Sequence, residues 1–193
     1  MLSVICPIYN EAKYIDVCVQ SILLQDYPKQ QLEVLFVDGM SKDGTRDIVN
    51  NYSKQYPFIR LLNNEKRIVP VAMNIGIKAS IGDIVMRLDA HAQYPPNYFS
   101  VLVKELVRLR ADNVGVACKT DVLNKTSKTL AIREVLSNRF GVGNSTFRLG
   151  VDKVIEVDTV PFGCWKKDVF NKYGFYDERL IRNQDIELNK RIV

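Results

Sequence analysis

The stretch Gly82-Asp83-Ile84-Val85-Met86-Arg87-Leu88-Asp89-Ala90-His91-Ala92 predicts the fold of this chain. Its apolar run is typical of a strand in a parallel sheet, because such a strand is buried on both faces. In α/β proteins the residues that follow a parallel strand lie at the carboxyl edge of the sheet, where ligands bind. Asp89 and His91, the only histidine of the chain, are therefore the first candidates for a functional site.

Short apolar runs alternate with amphipathic segments of helical length on both sides of this strand, which is typical of βαβ units. We therefore expect an α/β protein: a single Rossmann-like domain with a mainly parallel central sheet flanked by helices. Besides the strand before Asp89, the predicted strands are 2–6, which Pro7 ends, and 32–37, 58–62 and 114–120. The predicted helices are 11–25, with Asn10 as N-cap, and 45–55, 70–79, 95–110, 126–139 and 185–193.

Composition narrows the class of protein. The chain has 193 residues, of which 47% are hydrophobic and 25% charged, so one domain with a sizeable core is expected. No apolar run reaches the ~18 residues of a membrane span, and no leader pattern opens the chain, so we expect a cytoplasmic protein. The four cysteines lack CxxC spacing, which favours reduced thiols. The net charge of +5 comes from scattered basic residues, so no nucleic-acid partner is expected.

The end of the chain has no helix stop signal after residues 185–193. We therefore expect the chain to be truncated at its C-terminus. Residues missing from it are candidates for membrane association, which would place the intact protein at the inner face of the membrane.

Polar side chains follow three of the predicted strands. Tyr9 and Glu11 follow the first, Asp38 ends the second, and Asp89 and His91 end the fourth. Right-handed crossovers bring such strand ends to one edge of the sheet. There an aromatic ring can stack on a nucleobase, carboxylates can accept hydrogen bonds from base or ribose, and Asp89 with His91 can hold a divalent cation for phosphates. The chain contains neither a GxGxxG nor a P-loop motif.

Five motifs resemble those of the family 2 glycosyltransferases of the GT-A fold, in the same order. Together they cover nearly the whole chain: Val4-Ile5-Cys6-Pro7-Ile8-Tyr9-Asn10-Glu11, Phe36-Val37-Asp38-Gly39-Met40-Ser41-Lys42-Asp43-Gly44-Thr45, Arg87-Leu88-Asp89-Ala90-His91, Phe162-Gly163-Cys164-Trp165 and Asn183-Gln184-Asp185-Ile186-Glu187-Leu188. The Asp-Ala-His form is similar to that of the subgroup that builds bacterial exopolysaccharides such as succinoglycan.

The resemblance implies an inverting glycosyltransferase of polysaccharide biosynthesis. It would move a hexose from a nucleoside diphosphate sugar, a UDP- or GDP-sugar, to a carbohydrate or lipid-linked acceptor. Residues 1–193 would form one GT-A domain, with a nucleotide-sugar-binding part at about 1–120 and an acceptor-side part at about 121–193. A Gln-Arg-Trp motif of processive members is absent, so processivity has no support.

The resemblance also implies roles for individual residues. The nucleotide sugar would be bound by Pro7, Tyr9, Glu11, Asp38, Arg67 and Asp89, with Asp38 reading the base. Asp89 and His91 would bind the metal, and because His91 stands where most members have aspartate, Mn²⁺ is expected to be favoured over Mg²⁺. Asp185 would be the general base, with Trp165 and Glu187 on the acceptor side.

Structural interpretations of the same residues stay open. His91 can be a hydrogen-bonded structural residue and Asp89 a turn cap. Tyr9 and Trp165 can be core aromatics, while Asp38 and Asp43 can shape their loop; we favour a binding role for Asp38 and a structural one for Asp43. Asp185 can simply be stabilised by the helix dipole, and Glu187 can be a salt-bridge partner.

Two other functions also remain open. One is a nucleotide-sugar-binding protein that has lost turnover. The other is a sugar nucleotidyltransferase, although the first strand is not followed by the glycine-rich, basic loop expected of that class.

Overall fold

A computed structural model describes residues 1–118, 120–122, 124–142, 146–150 and 153–192. These residues form one six-stranded sheet with α-helices on both faces. The strands are β1 (Leu2–Ile8), β2 (Leu32–Asp38), β3 (Ile59–Asn63), β4 (Ile84–Arg87), β5 (Asn113–Val114) and β6 (Cys164–Lys166). The helices are α1 (Ile15–Leu23), α2 (Thr45–Gln55), α3 (Val69–Ala79), α4 (Tyr98–Leu109), α5 (Ser127–Leu136), α6 (Arg139–Val142), α7 (Asp168–Tyr173) and α8 (Gln184–Ile192).

The sheet has the order β3-β2-β1-β4-β6-β5, which confirms the predicted mainly parallel architecture. Strands β1 to β4 pair in parallel, and β6 runs antiparallel to both β4 and β5. Because β1 lies between β2 and β4, the polar residues that follow these three strands are brought to one edge of the sheet.

Two hydrophobic clusters cover the two faces of the sheet. Alternate residues of β1 belong to different clusters, as the twofold period of a strand requires: Val4 packs under α1, α2 and α4, and Ile5 under α3, α7 and α8. Helices α5 and α6 contain no fully buried residue. The core is thus a three-layer sandwich, with α5 and α6 at its surface.

Several predicted element bounds need correction. Pro7 lies inside β1, which continues to Ile8. The carbonyl of Ile5 accepts from the N–H of Leu88, immediately after β4. Backbone groups alternate in direction along a strand, so the nitrogen of Pro7 points to the same side as the Ile5 carbonyl. The pairing of β1 with β4 ends at Ile5 and Arg87, so no N–H is needed at Pro7 to bond β4.

The predicted start of the first helix at residue 11, with Asn10 as N-cap, is wrong. Asn10 has a left-handed backbone, with φ 55°, and its side-chain oxygen accepts from the N–H of Lys42 instead. Helix α1 therefore begins at Ile15, after a turn in which the Tyr14 N–H bonds the Glu11 carbonyl. The predicted helix 45–55 is confirmed.

The predicted strand 114–120 is reduced to a short pairing, because β5 finds a partner only in the three-residue β6. Strand β6 and helix α7 were not predicted from the sequence. Residues 119 and 193, which belong to the predicted strand 114–120 and helix 185–193, lie outside the described residues.

Candidate active site

The loops after β1 and β2 are tied together by hydrogen bonds from backbone to side chain. The N–H of Asn10 donates to Ser41 Oγ and the N–H of Glu11 to Thr45 Oγ1, each over 2.8 Å. The reciprocal bond runs from the N–H of Lys42 to Asn10 Oδ1 over 3.0 Å. These contacts satisfy backbone N–H groups that do not bond to a neighbouring strand, and they hold both loops in one defined arrangement.

Asp43 contributes to the same arrangement. Its carboxylate accepts from Thr45 Oγ1 over 2.6 Å and from the N–H of Ala12 over 3.0 Å. These bonds lower the pKa of Asp43, the bond from Thr45 most of all. The structural role that we favoured for Asp43 agrees with this geometry.

Tyr9 presents its ring at the carboxyl end of β1, where the side chain is exposed. Gly39, at the end of β2, makes room for this ring: a Cβ at position 39 would lie 3.0 Å from Tyr9 Cδ2, closer than an ordinary carbon contact. The lack of a side chain at Gly39 thus allows Tyr9 to lie against the backbone and keep a face open for stacking.

Asp38, the last residue of β2, does not line the cleft at the carboxyl edge of the sheet to which Tyr9 contributes. Its residue is fully buried, and its carboxylate accepts from Ser41 Oγ and from Arg46 Nη1, each over 2.5 Å. The expected direct reading of a base by this carboxylate is therefore corrected. Its charge is compensated by Arg46, and its observed contacts hold the loop that carries Gly39.

Asp89 follows β4 and is positioned by Tyr94. The Tyr94 hydroxyl accepts from the N–H of Asp89 over 2.8 Å and donates to the Asp89 carbonyl over 3.1 Å. Burial raises the pKa of Tyr94 above its ordinary value, so its hydroxyl stays protonated at alkaline pH as well as at neutral pH. The phenol is thus the partner of the Asp89 N–H and shares the Asp89 carbonyl with the N–H of Ala92, which leaves the Asp89 carboxylate free of the backbone of its own turn.

His91 lies two residues further on, with most of its side chain exposed. Its Nδ1 lies 3.2 Å from Glu11 Oε1, so the loops after β1 and β4 meet at this pair. Oδ1 of Asp89 accepts a hydrogen bond from Arg87 Nη2 over 3.2 Å. The second oxygen of Asp89 and Nε2 of His91 are thus the atoms offered for coordination.

A cleft at the carboxyl edge brings most of the predicted donor-site residues together. It is lined by Pro7, Ile8, Tyr9, Glu11, Val37, Gly39, Asn64, Arg67, Ile68, Val69, Ala72, Arg87, Asp89, Ala90 and His91. Of the residues expected to bind a nucleotide sugar or metal, Asp38 alone is missing from this lining. Arg67 reaches the cleft from the segment between β3 and α3 with a left-handed backbone, φ 58°.

The residues of the cleft suit a divalent cation with two protein ligands. Asp89 supplies a carboxylate oxygen and His91 an imidazole nitrogen, and the carboxylate of Glu11 at Nδ1 is the kind of partner that orients a metal-bound histidine. In the described part of the chain no group of three or more His, Cys, Asp or Glu forms a metal cluster. A cation held by Asp89 and His91 therefore keeps open positions for substrate or solvent.

Arg87, the last residue of β4, connects Asp89 with the start of α8. Its Nη1 lies 2.8 Å and 2.9 Å from the two carboxylate oxygens of Asp185, while Nε and Nη2 approach Oδ1 of Asp89. The Arg87 guanidinium also lies 5.7 Å from the ring of Phe162. Burial opposes its charge, but Asp89 and Asp185 outweigh this effect and raise the pKa of Arg87.

Arg87 and Asn64 were missed by the sequence-based reasoning. A lone arginine inside an apolar strand is a usable signal, because a buried cation needs an anionic partner. Asn64 follows β3 as Asp89 follows β4; it is buried, and its Oδ1 accepts from no described residue. A polar residue after an apolar strand was again the available signal.

The three acceptor-side and catalytic candidates lie in different surroundings. Asp185, in the first turn of α8, is partly exposed beside Arg87. Glu187 forms an ion pair with Arg191 over 2.6 Å, which agrees with the salt-bridge alternative. Trp165 is only 1% exposed and packs against Phe170 with ring centroids 5.7 Å apart. A buried indole offers no face to a sugar, so the expected acceptor role of Trp165 is corrected to a core role.

Backbone strain gathers around this edge of the sheet. Asn10, Met40, Arg67, Phe162 and Asn183 all have left-handed φ angles, between 48° and 63°. Such conformations are costly for residues other than glycine, and they persist where surrounding contacts impose them. The loops that carry the candidate site are therefore held in defined conformations.

The parallel β1–β4 core, the antiparallel β6 and the cleft at the carboxyl edge define a GT-A fold. A model of the family described as "Glycosyl transferase family 2" matches residues 3–174. The chain belongs to this family.

Curated relatives extend over nearly the whole chain. It is 29% identical over 197 residues to dolichyl N-acetyl-alpha-D-glucosaminyl phosphate 3-beta-D-2,3-diacetamido-2,3-dideoxy-beta-D-glucuronosyltransferase of Methanococcus voltae, covering 100% of this chain and 61% of the relative. It is 30% identical over 201 residues to the succinoglycan biosynthesis protein ExoA of Rhizobium meliloti, covering 98% and 57%. The chain thus spans about three fifths of the length of these relatives.

Solved structures share the fold. The chain aligns with Staphylococcus aureus TarS residues 1–349 in complex with UDP-GlcNAc at a TM-score of 0.72 and 18% identity, covering 99% of this chain and 52% of that one. It aligns with the mannosyltransferase PcManGT from Pyrobaculum calidifontis, in complex with GDP-Man and Mn²⁺, at a TM-score of 0.69 and 22% identity, covering 98% and 49%. None of the helices in the described part of the chain has the length and apolar character needed to cross a bilayer.

Proposed function

We propose that this chain is the catalytic domain of an inverting glycosyltransferase that moves a hexose from a UDP- or GDP-sugar to a carbohydrate or lipid-linked acceptor in polysaccharide biosynthesis. The observation that carries the proposal is the single cleft lined by Tyr9, Arg67, Asp89 and His91, with Asp185 joined to it through Arg87. Family membership and relatives named for glycan assembly support it.

The donor would bind along the edge formed by β1, β2 and β4. Tyr9 offers a stacking face for the base, and Pro7 lies beside it in the cleft. The exposed Arg67 provides charge for the diphosphate, and Glu11 and Asn64 provide hydrogen-bond acceptors. Asp38 enters this proposal only as the residue that holds the loop of Gly39. The neighbours solved with UDP-GlcNAc and GDP-Man support the choice of ligand class.

Asp89 and His91 would hold the divalent cation. When bound there, the cation supplies positive charge next to the diphosphate leaving group. We propose Mn²⁺ over Mg²⁺, because imidazole is a better ligand for manganese than for the harder magnesium ion. The Mn²⁺ in the mannosyltransferase neighbour supports a divalent cation in this fold.

Asp185 would act as the general base. The acceptor hydroxyl oxygen attacks the anomeric carbon from the face opposite the diphosphate, the bond from that carbon to the diphosphate oxygen breaks, and Asp185 takes the hydroxyl proton. One direct displacement inverts the anomeric configuration and needs one carboxylate base. Both Asp185 oxygens bond one nitrogen of Arg87, so further lone pairs remain for the proton.

The acceptor would approach from the part of the chain at about 121–193, opposite the donor part at about 1–120. Trp165 is not included in this acceptor site, because it is buried, and Glu187 would act there only through its ion pair with Arg191. For a lipid-linked acceptor, we propose that the intact protein works in the cytoplasm at the inner face of the membrane.

The proposal is tested first by binding. The melting temperature is measured with UDP, GDP and their hexose conjugates, with and without Mn²⁺ or Mg²⁺, since a ligand of the native state raises it. We expect one nucleotide series to stabilise the chain, and Mn²⁺ to enhance its effect.

Turnover is tested next, as release of nucleoside diphosphate in the presence of polyprenyl-diphosphate-linked saccharides or free oligosaccharides. Asp185→Asn is expected to lower kcat by ~10²–10⁴-fold, the usual contribution of a general base, with donor binding retained. Asp177→Asn is the matched control, because Asp177 pairs with Arg179 at the surface and does not line the cleft.

Other outcomes identify other functions. Donor binding without release of diphosphate supports a binding protein without turnover. Formation of pyrophosphate from a nucleoside triphosphate and a sugar phosphate supports a nucleotidyltransferase. Full activity of Asp185→Asn removes Asp185 as the base while leaving the donor site in place.

A further inference from the structure

Arg87 is the residue through which the donor edge and α8 meet. Its side chain is 9% exposed and lies between two carboxylates, Asp89 and Asp185, that are 20% and 29% exposed. Asp89 follows Arg87 closely in the chain, whereas Asp185 is 98 residues away. A single buried guanidinium therefore links the candidate metal ligand to the candidate base.

The geometry points to Arg87 as a positioning residue for transfer: its Nη1 fixes the Asp185 carboxylate toward the bound donor, while Tyr94 holds the backbone of Asp89 independently of Arg87. This inference rests on the proposed function and adds to it a residue of the cleft lining that acts through Asp185.

The shape of the guanidinium explains why one side chain can do this. Its donors lie in one plane at fixed angles, so Nη1 can engage Asp185 while Nε and Nη2 engage Asp89. Without a cation between them, two carboxylates at one site repel each other, and Asp185, whose carboxylate has no other partner among the described residues, would turn toward solvent. A lysine ammonium would keep the charge but lose the two-sided arrangement.

The orientation of Arg87 is itself restricted. Its backbone N–H donates to the Gly163 carbonyl over 3.0 Å, and the ring of Phe162 lies against the guanidinium. Phe162 has a left-handed backbone, with φ 48°. The segment before β6 thus holds Arg87 from the side opposite the donor loops, which limits the positions that Asp185 can take.

A purely structural role would be to attach α8 to the sheet, but other contacts already do so. Leu188 is fully buried in the core cluster under α3 and α7. Asn189 donates to Thr159 Oγ1 over 2.9 Å, and Arg191 Nη2 donates to the Phe175 carbonyl over 2.8 Å. Several contacts other than Arg87 thus dock α8, and the ion pair acts on the one residue of α8 that we assign to chemistry.

The test compares Arg87→Gln and Arg87→Lys with Arg60→Gln. Arg60 also pairs with a buried carboxylate, Glu33, over 3.4 Å, but it does not line the cleft. We expect Arg87→Gln to lower kcat by ~100-fold, the scale of a misplaced catalytic group, and Arg87→Lys by ~10-fold. Arg60→Gln should leave kcat unchanged. The melting-temperature response to UDP or GDP with Mn²⁺ should persist in both Arg87 variants.

The decisive measurement is made in the Asp185→Asn background. If Arg87 acts through Asp185, its replacement there changes kcat by no more than about twofold, because the two losses are not additive. Arg87→Lys, which keeps the buried charge, supplies this comparison should Arg87→Gln fail to fold.

Three results overturn the role of Arg87 alone: an Arg87→Gln kcat equal to that of Arg60→Gln, an Arg87 effect of full size in the Asp185→Asn background, or loss of the nucleotide response with Mn²⁺. A wild-type chain that binds the donor but transfers nothing overturns the proposed function instead.

Discussion

The hydroxyl of Tyr94 spans both backbone polar groups of Asp89, accepting from its N–H over 2.8 Å and donating to its carbonyl over 3.1 Å. The turn that carries the candidate metal ligand is therefore held by a side chain five residues further along the chain. Tyr94 is itself buried, so its packing as well as its two hydrogen bonds stabilises this turn.

Tyr94→Phe removes the hydroxyl and leaves the partly buried N–H of Asp89 without its partner, while the Asp89 carbonyl still accepts from the N–H of Ala92 over 3.3 Å. We expect a loss of about 1–3 kcal/mol in the free energy of unfolding, the usual penalty for such groups. The measurement is the melting temperature, which falls by about 2–4 °C per kcal/mol for a chain of this size. Tyr98→Phe is the control: Tyr98 is equally buried and its ring lies 4.9 Å from that of Tyr94. Equal effects of the two variants would contradict the assigned role of the Tyr94 hydroxyl.

His91→Asp should change the metal preference. Replacing the imidazole by a carboxylate creates an all-oxygen ligand pair with Asp89, which suits Mg²⁺ better. We expect the ratio of Mg²⁺-supported to Mn²⁺-supported activity to rise relative to wild type. Asp89→Asn should remove the metal-dependent part of the nucleotide response, whereas Asp83→Asn, at the opposite end of β4, should not. An unchanged metal preference in His91→Asp would argue against His91 as a ligand.

Tyr9→Ala should weaken nucleotide binding. A base stacked on an aromatic side chain gains about 1–3 kcal/mol, so Kd for UDP or GDP, measured by calorimetry, should rise roughly 5- to 150-fold. Tyr9→Phe keeps the ring and should retain most of the affinity. If both variants bind as wild type does, the exposed ring of Tyr9 is not the stacking surface.

We expect the cysteine thiols to react with a labelling reagent in a pH-dependent pattern. Burial raises the pKa of the Cys164 thiol to about 12 and that of Cys6 well above its ordinary value, and burial likewise raises the pKa of the partly exposed Cys118. The thiolate is the reactive form and exists only as pH approaches the pKa, so at pH 8 Cys6 and Cys164 should not react in the native chain. Labelling of Cys118 should increase from pH 7 to pH 9.

A thiol reagent with mass-spectrometric site assignment checks this pattern, and the chain in guanidinium chloride, where all four cysteines react, is the control. Rapid native labelling of Cys164 would contradict the burial of β6 in the sheet.

Local pattern predicted most of what surrounds the donor edge. The apolar run before Asp89 identified β4, and the polar residues after three such runs identified Tyr9, Glu11, Asp89 and His91 as neighbours. This succeeded because parallel strands joined by right-handed crossovers have their carboxyl ends on the same side. The same pattern predicted β1 and β2 as strands but not the partners of their polar side chains.

The errors share one cause. The position of Asp38 at a strand end predicts a ligand-binding carboxylate. In the structure Arg46 Nη1 lies 2.5 Å from this carboxylate and compensates its charge. Trp165 belongs to a motif that resembles an acceptor-side motif of the family, yet strand β6 places it in the core between the sheet and α7. Each outcome depends on which element packs against the residue, and spacing along the chain does not contain that information.

The sequence by itself determined the α/β class, the two-faced character of the inner strands and the chemistry available at their ends, because the periods of strand and helix and the tendencies of turn residues are local properties. Tertiary structure alone decided that β6 enters the sheet antiparallel, that Asp38 turns inward, and that Arg87 meets Asp185 across 98 residues of chain. The physical reason is that packing and charge compensation in a core act between residues that are close in space, wherever they stand in the sequence.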